Sequence, residues 1–359
     1  MVIGVLPGEG VGPAVTDGAL NVLDHVASAS GLTLHLQRGG LIGRDAERAG
    51  GEALSAEVVR FCQNVFDQGG AVFNGPGGGR YVYDLRKQFD LFFKISPLRS
   101  ATGLPGASRL RPDVVADLDI LIARENSGGV YQGTWSEHAT PAGDRIAEQS
   151  FAYSESQVRR FLAAAARLAA RRSGKLTVVW KEAGVPAISK LWRDCAEQAS
   201  RSAGIRCSLV DIDLMAYRLI QDPAAFDVIA TPNLFGDVLG DLGAVLIGSR
   251  GNSFSGNYTA AGDAVYQTNH GAAYDLAGQD RANPAGQIFS LAMMLRESFG
   301  LGREADSIEE AVRSVWREGW RTEDVASPGA RVIGTREISA LIAEKAGQLV
   351  RGKLRPHGH

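Results

Sequence analysis

The amino-acid sequence predicts an α/β fold built on a parallel sheet. Short apolar segments that are typical of buried strands alternate with longer segments of helical periodicity along most of the chain. The sequence contains 44 glycines, which suits a fold with many tight turns between strands and helices. Its 359 residues are enough for about two domains with an ample core.

The first part of the chain alternates predicted strands with predicted helices. Strands are predicted at 2–6, near 32–38 and at 71–74, and helices through about residue 28 and near 54–68. Gly8, Gly10 and Gly12 resemble a dinucleotide-binding fingerprint, but the third glycine comes one residue early, so the motif is weak. Pro13 is better explained as the first residue of the first helix.

The middle and the end of the chain continue this alternation. Residues 98–113 have a loop-like composition and form the predicted crossing between domains, and the polar residues 132–148 form a predicted excursion. Ser154 and Gln157 predict a capping box, and Thr335 is predicted to cap the last helix. The remaining predicted strands are 117–124, 176–180, 206–210 and 226–231, and the remaining predicted helices are 155–172, 186–203, one from about 235, 284–298, 307–321 and 336–350.

Composition and charge exclude several classes of function. Charged residues make up 22% of the chain and the net charge is −2, so no strong electrostatic attraction to nucleic acid or to a membrane surface is predicted. No apolar segment reaches the ~18 residues of a membrane span, and no signal-peptide pattern is present. Cys62, Cys195 and Cys207 lack metal-ligand spacing and are expected to be buried and reduced. We therefore expect a soluble cytoplasmic protein.

The segment FDVIATPNLFGDVLGD at 226–241 predicts a metal site. Asp237 and Asp241 lie four residues apart on the predicted helix, so their carboxylates share one face and repel each other. A divalent cation would remove that repulsion, and ligands that are all oxygen favour Mg²⁺ or Mn²⁺. The spacing alone also fits a solvated acidic face, but the neighbouring residues are too apolar for one, which indicates an internal cleft.

A glycine-rich turn followed by basic residues predicts an anion site. Glycines at 77–79 precede a segment whose cationic side chains alternate with aromatic ones; the cations are Arg80, Arg86, Lys87 and Lys94. Backbone N–H groups in glycine turns and converging cations together bind anions, although a solvated basic face has the same composition.

Other polar side chains lie where predicted strands end. Arg124 and Tyr131 flank a glycine-containing turn after a buried strand, Lys181 follows another strand, and Asp213 comes shortly after a third. Side chains at such positions commonly face the ligand in open α/β sheets.

These motifs in their order and spacing resemble one family over nearly the full chain. The residues that carry the resemblance are LPGEGVGP at 6–13, LRKQFDLF at 85–92, RENSGGVY at 124–131, Lys181, Asp213, NLFGDVLGD at 233–241 and HGAAYDLAGQDRANP at 270–284. The family is that of the β-decarboxylating isocitrate/isopropylmalate dehydrogenases. The resemblance implies a two-domain, isopropylmalate-dehydrogenase-like α/β fold that is not a Rossmann fold.

The resemblance also implies a division of the chain and a homodimer. The large domain takes residues 1–98 and 247–359 and contains the cofactor site. The small domain takes residues 99–246 and contains the dimer interface and the metal ligands. In such a homodimer the partner subunit completes the active-site cleft.

Each site residue is assigned a role by its match to the family's motifs. Asp237 and Asp241 match metal ligands, and Asp213 of the partner subunit matches a third. Lys181, also from the partner, matches the catalytic lysine, with a pKa expected to be lowered by nearby cations so that it can relay the hydroxyl proton. Tyr131 matches the tyrosine that protonates the enol. Arg86 and Arg124 match the arginines that hold the malate carboxylates, Arg80, Lys94 and Ser96 also line the substrate site, and His270, Gly271, Asp275 and Asn283 match the cofactor site.

Several residues depart from the family pattern. Ser96 stands where the family usually has an arginine, so one carboxylate contact is missing unless Lys94 or Arg99 replaces it. The other departures are Ala183 for an asparagine on the nicotinamide side, Gln267 for an acidic residue and Tyr274 for a proline.

Arg80 and Asp275 determine the expected substrate and cofactor. The resemblance places Arg80 against the substituent at carbon 3 of malate, where a guanidinium in a closed cleft favours an anionic partner, with Tyr81 and Tyr83 as further donors. Asp275 would accept hydrogen bonds from ribose hydroxyls and repel a 2′-phosphate, so we expect NAD rather than NADP.

The expected activity is therefore NAD- and divalent-metal-dependent oxidative decarboxylation of a 3-substituted malate of the 2R,3S type. The substrate is expected to be a hydroxy di- or tricarboxylate such as isocitrate, homoisocitrate or a phosphonomethylmalate. The alternatives are 3-isopropylmalate, a tartrate or malate dehydrogenase activity, and a catalytically weak regulatory or binding subunit of the same family.

Overall fold

The computed structural model describes residues 1–100, 103–104 and 106–354. Its strands are β1 Val2–Leu6, β2 His35–Arg38, β3 Ala71–Asn74, β4 Phe93–Arg99, β5 Asp119–Glu125, β6 Thr134–Ala139, β7 Arg145–Ser150, β8 Lys175–Trp180, β9 Arg206–Asp211, β10 Val228–Thr231, β11 Phe254–Tyr258, β12 Ala264–Thr268, β13 Trp320–Arg321 and β14 Arg331–Val332. Its helices are α1 Gly12–Ser30, α2 Gly43–Gly50, α3 Ala56–Asp67, α4 Tyr81–Gln88, α5 Pro112–Val115, α6 Glu155–Ala170, α7 Pro186–Ala203, α8 Ile212–Gln221, α9 Asn233–Leu246, α10 Ala285–Glu297, α11 Gly302–Arg317 and α12 Thr335–Leu354. Each predicted strand and helix is present, with ends displaced by a few residues.

One ten-stranded sheet has the order β2-β1-β3-β12-β11-β4-β5-β10-β8-β9. The strands toward both ends of this order pair in parallel, as predicted. In the centre, β12, β11, β4 and β5 pair antiparallel, so the prediction of a parallel sheet is wrong there. Hydrophobic patterns locate strands but do not set their direction. The direction here follows from the β11–β12 hairpin and from the segment that returns the chain between β4 and β5.

The strand order separates the two ends of the chain from its middle. β1 to β4, β11 and β12 come from the terminal segments, and β5, β8, β9 and β10 come from the middle. One buried apolar cluster packs α1, α10, α11 and α12 together, and another packs α6 and α7 against β8 and β10. This arrangement is compatible with domain boundaries after residues 98 and 246, which stay a prediction.

Local sequence signals explain some helix ends and fail at others. Ser154 and Gln157 form the predicted capping box, with Ser154 N–H donating to Gln157 Oε1 at 2.9 Å and Gln157 N–H to Ser154 Oγ at 3.2 Å. The predicted cap by Thr335 is wrong, because its hydroxyl donates to the carbonyl of Ala282 at 2.6 Å. A carboxylate from another segment caps α12 instead: Asp280 Oδ1 accepts from the N–H of Arg336 at 3.0 Å.

The predicted polar excursion is a β-hairpin, because β6 and β7 pair antiparallel along their whole length. Nearly all of its side chains are exposed, including that of Trp135. The apolar Phe151 directly after it is also exposed.

The cysteines are free thiols, as predicted, and burial raises the pKa of Cys62 to about 12 and that of Cys207 to about 11. Within the described residues, none of the helices has both the length and the apolar character required to cross a membrane.

Candidate active site

Three buried cations, Arg86, Lys94 and Arg124, form a cation cluster at the centre of the sheet. Lys94 on β4 lies directly opposite Arg124 on β5 in the antiparallel pair, so their side chains share one face of the sheet. Arg86 comes from the last turn of α4, and its charge interacts with both of them. Lys94 and Arg86 are each 5% exposed and Arg124 is 3% exposed. Like charges at such depth repel strongly, so the site favours an anion.

Lys94 and Arg86 lack an ion pair among the described residues, whereas Arg124 pairs with Asp237. Neither the ammonium of Lys94 nor the guanidinium of Arg86 forms a hydrogen bond within that part of the chain. Burial, followed by the charges of Arg86 and Arg124, lowers the pKa of Lys94 well below its usual value, and Asp237 and Asp241 offset this only in part. Burial and then Arg124 also lower the pKa of Arg86 to about 9. A bound carboxylate would offset the free-energy cost of burying both charges, that of Lys94 and that of Arg86.

Two carboxylates face the cluster from α9. Asp237 Oδ1 accepts from Arg124 Nη1 at 2.5 Å, while Asn233, one turn earlier, accepts from Arg124 Nε at 2.9 Å and Nη2 at 2.8 Å. Burial raises the pKa of Asp237, but the charges of Arg124 and Lys94 outweigh it and hold that pKa below its usual value. Asp241, one turn later on the same face, pairs with Arg250 at 3.0 Å. The sequence prediction that both aspartates share a face and line a cleft agrees with this geometry.

Tyr131 contacts both the carboxylate of Asp237 and the aromatic ring of Tyr83. Its hydroxyl donates to Asp237 Oδ2 at 2.9 Å, and its ring lies 4.9 Å from that of Tyr83. Burial, then the negative charge of Asp237, raises the pKa of Tyr131 above its usual value. The phenol therefore stays protonated at neutral pH.

The α9 carboxylates fit a divalent metal, although a single chain does not complete the site. The side chains of Asp237 and Asp241 are 42% and 49% exposed, so their oxygens are accessible, and hard oxygen donors suit Mg²⁺ or Mn²⁺. In the part of the chain that the structure describes, no three His, Cys, Asp or Glu residues are grouped so as to hold a metal. The third predicted ligand, Asp213, lies elsewhere in the same chain, so its participation requires a second subunit and stays a prediction.

Lys181 and Asp213 form a separate pair. Lys181 Nζ donates to Asp213 Oδ1 at 2.7 Å, and Asp211 lies 3.6 Å away. The hydrogen bond to Asp213 raises the pKa of Lys181 above its usual value. The expectation of a lowered pKa is therefore wrong for the free chain, because the nearest charges are carboxylates rather than cations.

Arg80 lies at the rim of the site. Its guanidinium is 41% exposed, stacks over the rings of Tyr83 and Trp135, and donates to the carbonyl of Tyr131 at 3.3 Å. It also pairs with Asp84 at 3.4 Å. The predicted contribution of Tyr81 is wrong, because this side chain is fully buried and its hydroxyl donates to Asn74.

The two candidates for the missing arginine at position 96 lie in different places. Ser96 is buried beside Asn269, to which its hydroxyl donates at 3.4 Å. Arg99 lies outside the cluster, near Asp119 at 3.6 Å and Glu309 at 3.7 Å. Lys94 is therefore the cation that the structure brings to Arg86 and Arg124.

Nearly the whole chain is similar to one enzyme family. Residues 2–342 match the family profile described as isocitrate/isopropylmalate dehydrogenase. The chain belongs to that family. Its members are β-decarboxylating dehydrogenases that act on hydroxy acids and typically use NAD or NADP with Mg²⁺ or Mn²⁺.

Individual relatives cover the chain almost completely. A 3-isopropylmalate dehydrogenase of Geobacillus kaustophilus is 37% identical over 94% of this chain and 93% of its own length. One from Nitratidesulfovibrio vulgaris is 39% identical over 96% and 99%. The crystal structure of isocitrate dehydrogenase from Methylococcus capsulatus superposes with a TM-score of 0.84 at 29% identity, over 98% of this chain and 99% of that one. The fold is thus the α/β fold of this family, as the sequence predicted.

The family's cofactor motif forms the loop before α10. His270 Nδ1 lies 2.9 Å from the carbonyl of Gly271, and burial lowers the pKa of the imidazole, so the ring is neutral at pH 7. Asp275 and Gly271 are exposed, and a Cβ at Gly271 would meet no atom within 4 Å. Asn283 is buried, and its amide hydrogen-bonds to Asn252, Asp324 and the N–H of Ala285. The cofactor contacts of these four residues stay predictions.

Sequence reasoning missed two residues that organise this family's site here. Asn233 orients Arg124, and its position directly before the predicted helix signalled a turn rather than a contact. Glu9 is 1% exposed and joins three loops, accepting from the N–H groups of Gly78 at 2.9 Å and Asp45 at 3.0 Å and from the hydroxyl of Tyr274. Tyr274, which replaces the family's proline, thus connects the loop of residues 270–284 to the glycine turn through Glu9.

Proposed function

We propose that the chain catalyses the NAD- and divalent-metal-dependent oxidative decarboxylation of a 3-substituted malate of the 2R,3S type. The supporting observation is the cation cluster facing Asp237 and Asp241, in which Lys94 is buried without a partner. A substrate that presents two carboxylates next to a hydroxyl satisfies both the cations and the acidic side of the site. Lys94 supplies the charge that is lost at Ser96, which favours an active enzyme over a catalytically weak subunit.

In this proposal, different residues of the site bind the substrate, the metal and the cofactor. Arg86, Arg124 and Lys94 bind and orient the carboxylates by charge-assisted hydrogen bonds in a buried setting. Asp237, Asp241 and Asp213 of the partner subunit would hold Mg²⁺ or Mn²⁺, which would supply Lewis-acid polarisation of the substrate hydroxyl. The loop that contains His270, Gly271, Asp275 and Asn283 would hold NAD, which would supply the hydride acceptor.

Proton transfers fall to Lys181 and Tyr131. Lys181 of the partner subunit takes the hydroxyl proton, and Tyr131, which is protonated and held at Asp237, returns a proton to carbon after carbon dioxide leaves. Asp213 raises the pKa of Lys181 in the free chain. Use of Asp213 as a metal ligand would remove this hydrogen bond and lower the pKa of Lys181 toward the range that a general base needs.

A homodimer with shared active sites is supported by exposed apolar residues next to these groups. α8 and α9 pack on each other and carry Asp213, Asp237 and Asp241. The same two helices expose large apolar side chains: Leu214 at 49%, Tyr217 at 61%, Leu234 at 38%, Val238 at 52% and Val245 at 42%. Such a concentration of exposed apolar surface is typical of a subunit interface.

For the 3-substituent we propose an anionic group, such as the carboxymethyl group of isocitrate, a longer homologue or a phosphonomethyl group. The guanidinium of Arg80 lies 5.4 Å from the centre of the Tyr83 ring, and that of Arg86 lies 5.9 Å from it. The ion pair between Arg80 and Asp84 is long and half-exposed, so it contributes little to stability. A substrate anion can therefore replace Asp84 as the partner of Arg80.

3-Isopropylmalate is the second candidate, and two observations favour it. The relatives from Geobacillus kaustophilus and Nitratidesulfovibrio vulgaris are named 3-isopropylmalate dehydrogenases, and Asp84 already provides Arg80 with a counter-charge.

A substrate panel separates the candidates. Isocitrate, homoisocitrate, phosphonomethylmalate, 3-isopropylmalate, malate and tartrate are assayed with NAD and Mg²⁺, using wild type and Arg80→Ala. We expect Arg80→Ala to lower kcat/KM for the anionic substrates by about tenfold or more and to leave 3-isopropylmalate unaffected. A wild-type preference for 3-isopropylmalate, or equal effects on both classes, would reject the anionic assignment.

A further inference from the structure

A cavity of about 330 Å³, here called the back cavity, lies on the face of the sheet opposite the cation cluster. Side chains alternate between the two faces along β4: Lys94 points to the cluster, whereas Phe93, Ile95 and Pro97 line the cavity. Its volume is at the lower end of the range for small-ligand sites, about 300 to 1,000 Å³. Its walls come from α6 on one side and from α10 and α11 on the other.

The back cavity has an apolar floor. Aromatic and aliphatic side chains of β4, β5, β11 and α10 form it, chiefly Phe93, Ile95, Leu121, Tyr258 and Met293. Such a surface binds a branched or aromatic hydrocarbon group by excluding water.

Exposed charged side chains of both signs surround this floor. Arg167 and Arg171 lie one turn apart at the end of α6, and Glu297 is the last residue of α10. In the described parts of the chain, none of these three side chains forms a hydrogen bond or an ion pair. The other two arginines of the cavity differ: Arg296 pairs with Glu309 at 2.6 Å, and Arg99 lies 3.7 Å from the same carboxylate.

We propose that the back cavity binds an α-amino acid with an apolar side chain. The carboxylate pairs with Arg167 and Arg171, the ammonium pairs with Glu297, and the hydrocarbon group covers Phe93 and Ile95. A carboxylate at the C-terminus of α10 already attracts a cation there, and the negative end of the helix dipole adds to it. A simple carboxylic acid would leave Glu297 without a counter-charge, and a simple amine would leave both arginines without one, although water hydrates all three exposed groups. This assignment is independent of the proposed reaction.

Binding is measured by titration calorimetry on the purified protein without substrate. The probes are L-phenylalanine, 3-phenylpropanoate, which lacks the ammonium, and 2-phenylethylamine, which lacks the carboxylate. We expect L-phenylalanine to bind with a Kd below about 10 mM and each analogue to bind at least about tenfold more weakly. Absence of L-phenylalanine binding, or equal binding of either analogue, overturns the proposal.

Variants locate the site. Arg167→Gln combined with Arg171→Gln should weaken L-phenylalanine binding by about tenfold or more, and Arg159→Gln, on the same helix but outside the cavity, is the matched control. Glu297→Gln should make L-phenylalanine and 3-phenylpropanoate bind equally. An amino acid bound instead at the cation cluster would be insensitive to all of these changes, because the sheet lies between the two sites. That result would overturn the proposal.

Discussion

Replacing Lys94 by methionine should stabilise the protein and inactivate it at the same time. Methionine keeps most of the length of the side chain and removes the ammonium. Lys94 is 5% exposed, and its ammonium faces two guanidinium groups and lacks a partner among the described residues. Burying this charge therefore destabilises the free protein; Asp237 and Asp241 offset part of this cost, and a bound anion would offset more. The matched control is Lys87→Met, which removes an exposed ammonium from neighbouring α4.

The expected gain in stability follows from the burial of the charged Lys94 side chain in the wild type. Replacing buried ions by apolar groups of similar size stabilises proteins by roughly 1–4 kcal/mol. An entropy of unfolding of about 2.1 cal/mol/K per residue makes each kcal/mol worth about 1.3 °C for a chain of 359 residues, so Tm should rise by about 1–5 °C. Lys87→Met should leave Tm nearly unchanged.

The pH dependence of stability is a second test of whether the buried charge of Lys94 destabilises the protein. The pKa of Lys94 is lower in the folded protein than its usual 10.5, so the unfolded chain binds this proton more readily. Between the lowered folded-state pKa and 10.5, the free energy of unfolding of the wild type should therefore rise with pH, and below the folded-state pKa the penalty is fully present. This contribution should be missing in Lys94→Met.

The loss of activity has a different magnitude. A hydrogen bond to a charged group contributes about 1.5–3 kcal/mol, so kcat/KM of Lys94→Met should fall roughly 10- to 160-fold. Thermal and urea denaturation measure the change in stability, and initial rates of NADH formation measure the change in kcat/KM. A variant that is less stable than wild type, or one that keeps full kcat/KM, would refute the assignment of Lys94 as the third carboxylate-binding cation.

Three other predictions concern assembly, cofactor and stability. Mixed dimers of Lys181→Ala and Asp237→Asn chains should regain activity through one intact shared site; verified hybrids that remain inactive contradict the sharing. kcat/KM for NAD should exceed that for NADP, and Asp275→Ala should narrow the difference; a wild-type preference for NADP contradicts the role of Asp275. Ser154→Ala should lower the free energy of unfolding by about 1 kcal/mol through loss of the capping box, and an unchanged Tm would show that the cap contributes nothing.

Features set by short stretches of sequence could be predicted. The capping box at Ser154, the strand Ala71–Asn74 and the shared helix face of Asp237 and Asp241 depend only on neighbours within a turn or on strand periodicity. The family's order of motifs extended this to the fold and to the placing of Arg124 and Asp237 in one site, although not to the ion pair between them.

Features that depend on contacts between distant segments could not be predicted from the sequence. The antiparallel centre of the sheet depends on how β4, β5 and β11 meet, and the cap of α12 depends on Asp280, which is 56 residues from Arg336 in sequence. The choice between Lys94 and Arg99 required the alternation of β4, which directs the first toward Arg124 and the second toward Glu309.

The proposed reaction is tested most directly by measuring NADH and carbon dioxide together while the preferred 3-substituted malate is consumed. We predict equal amounts of both products, loss of both when a chelator removes the divalent metal, and recovery with Mg²⁺ or Mn²⁺. NADH formation without carbon dioxide, or full activity in metal-free protein, would contradict the proposed function.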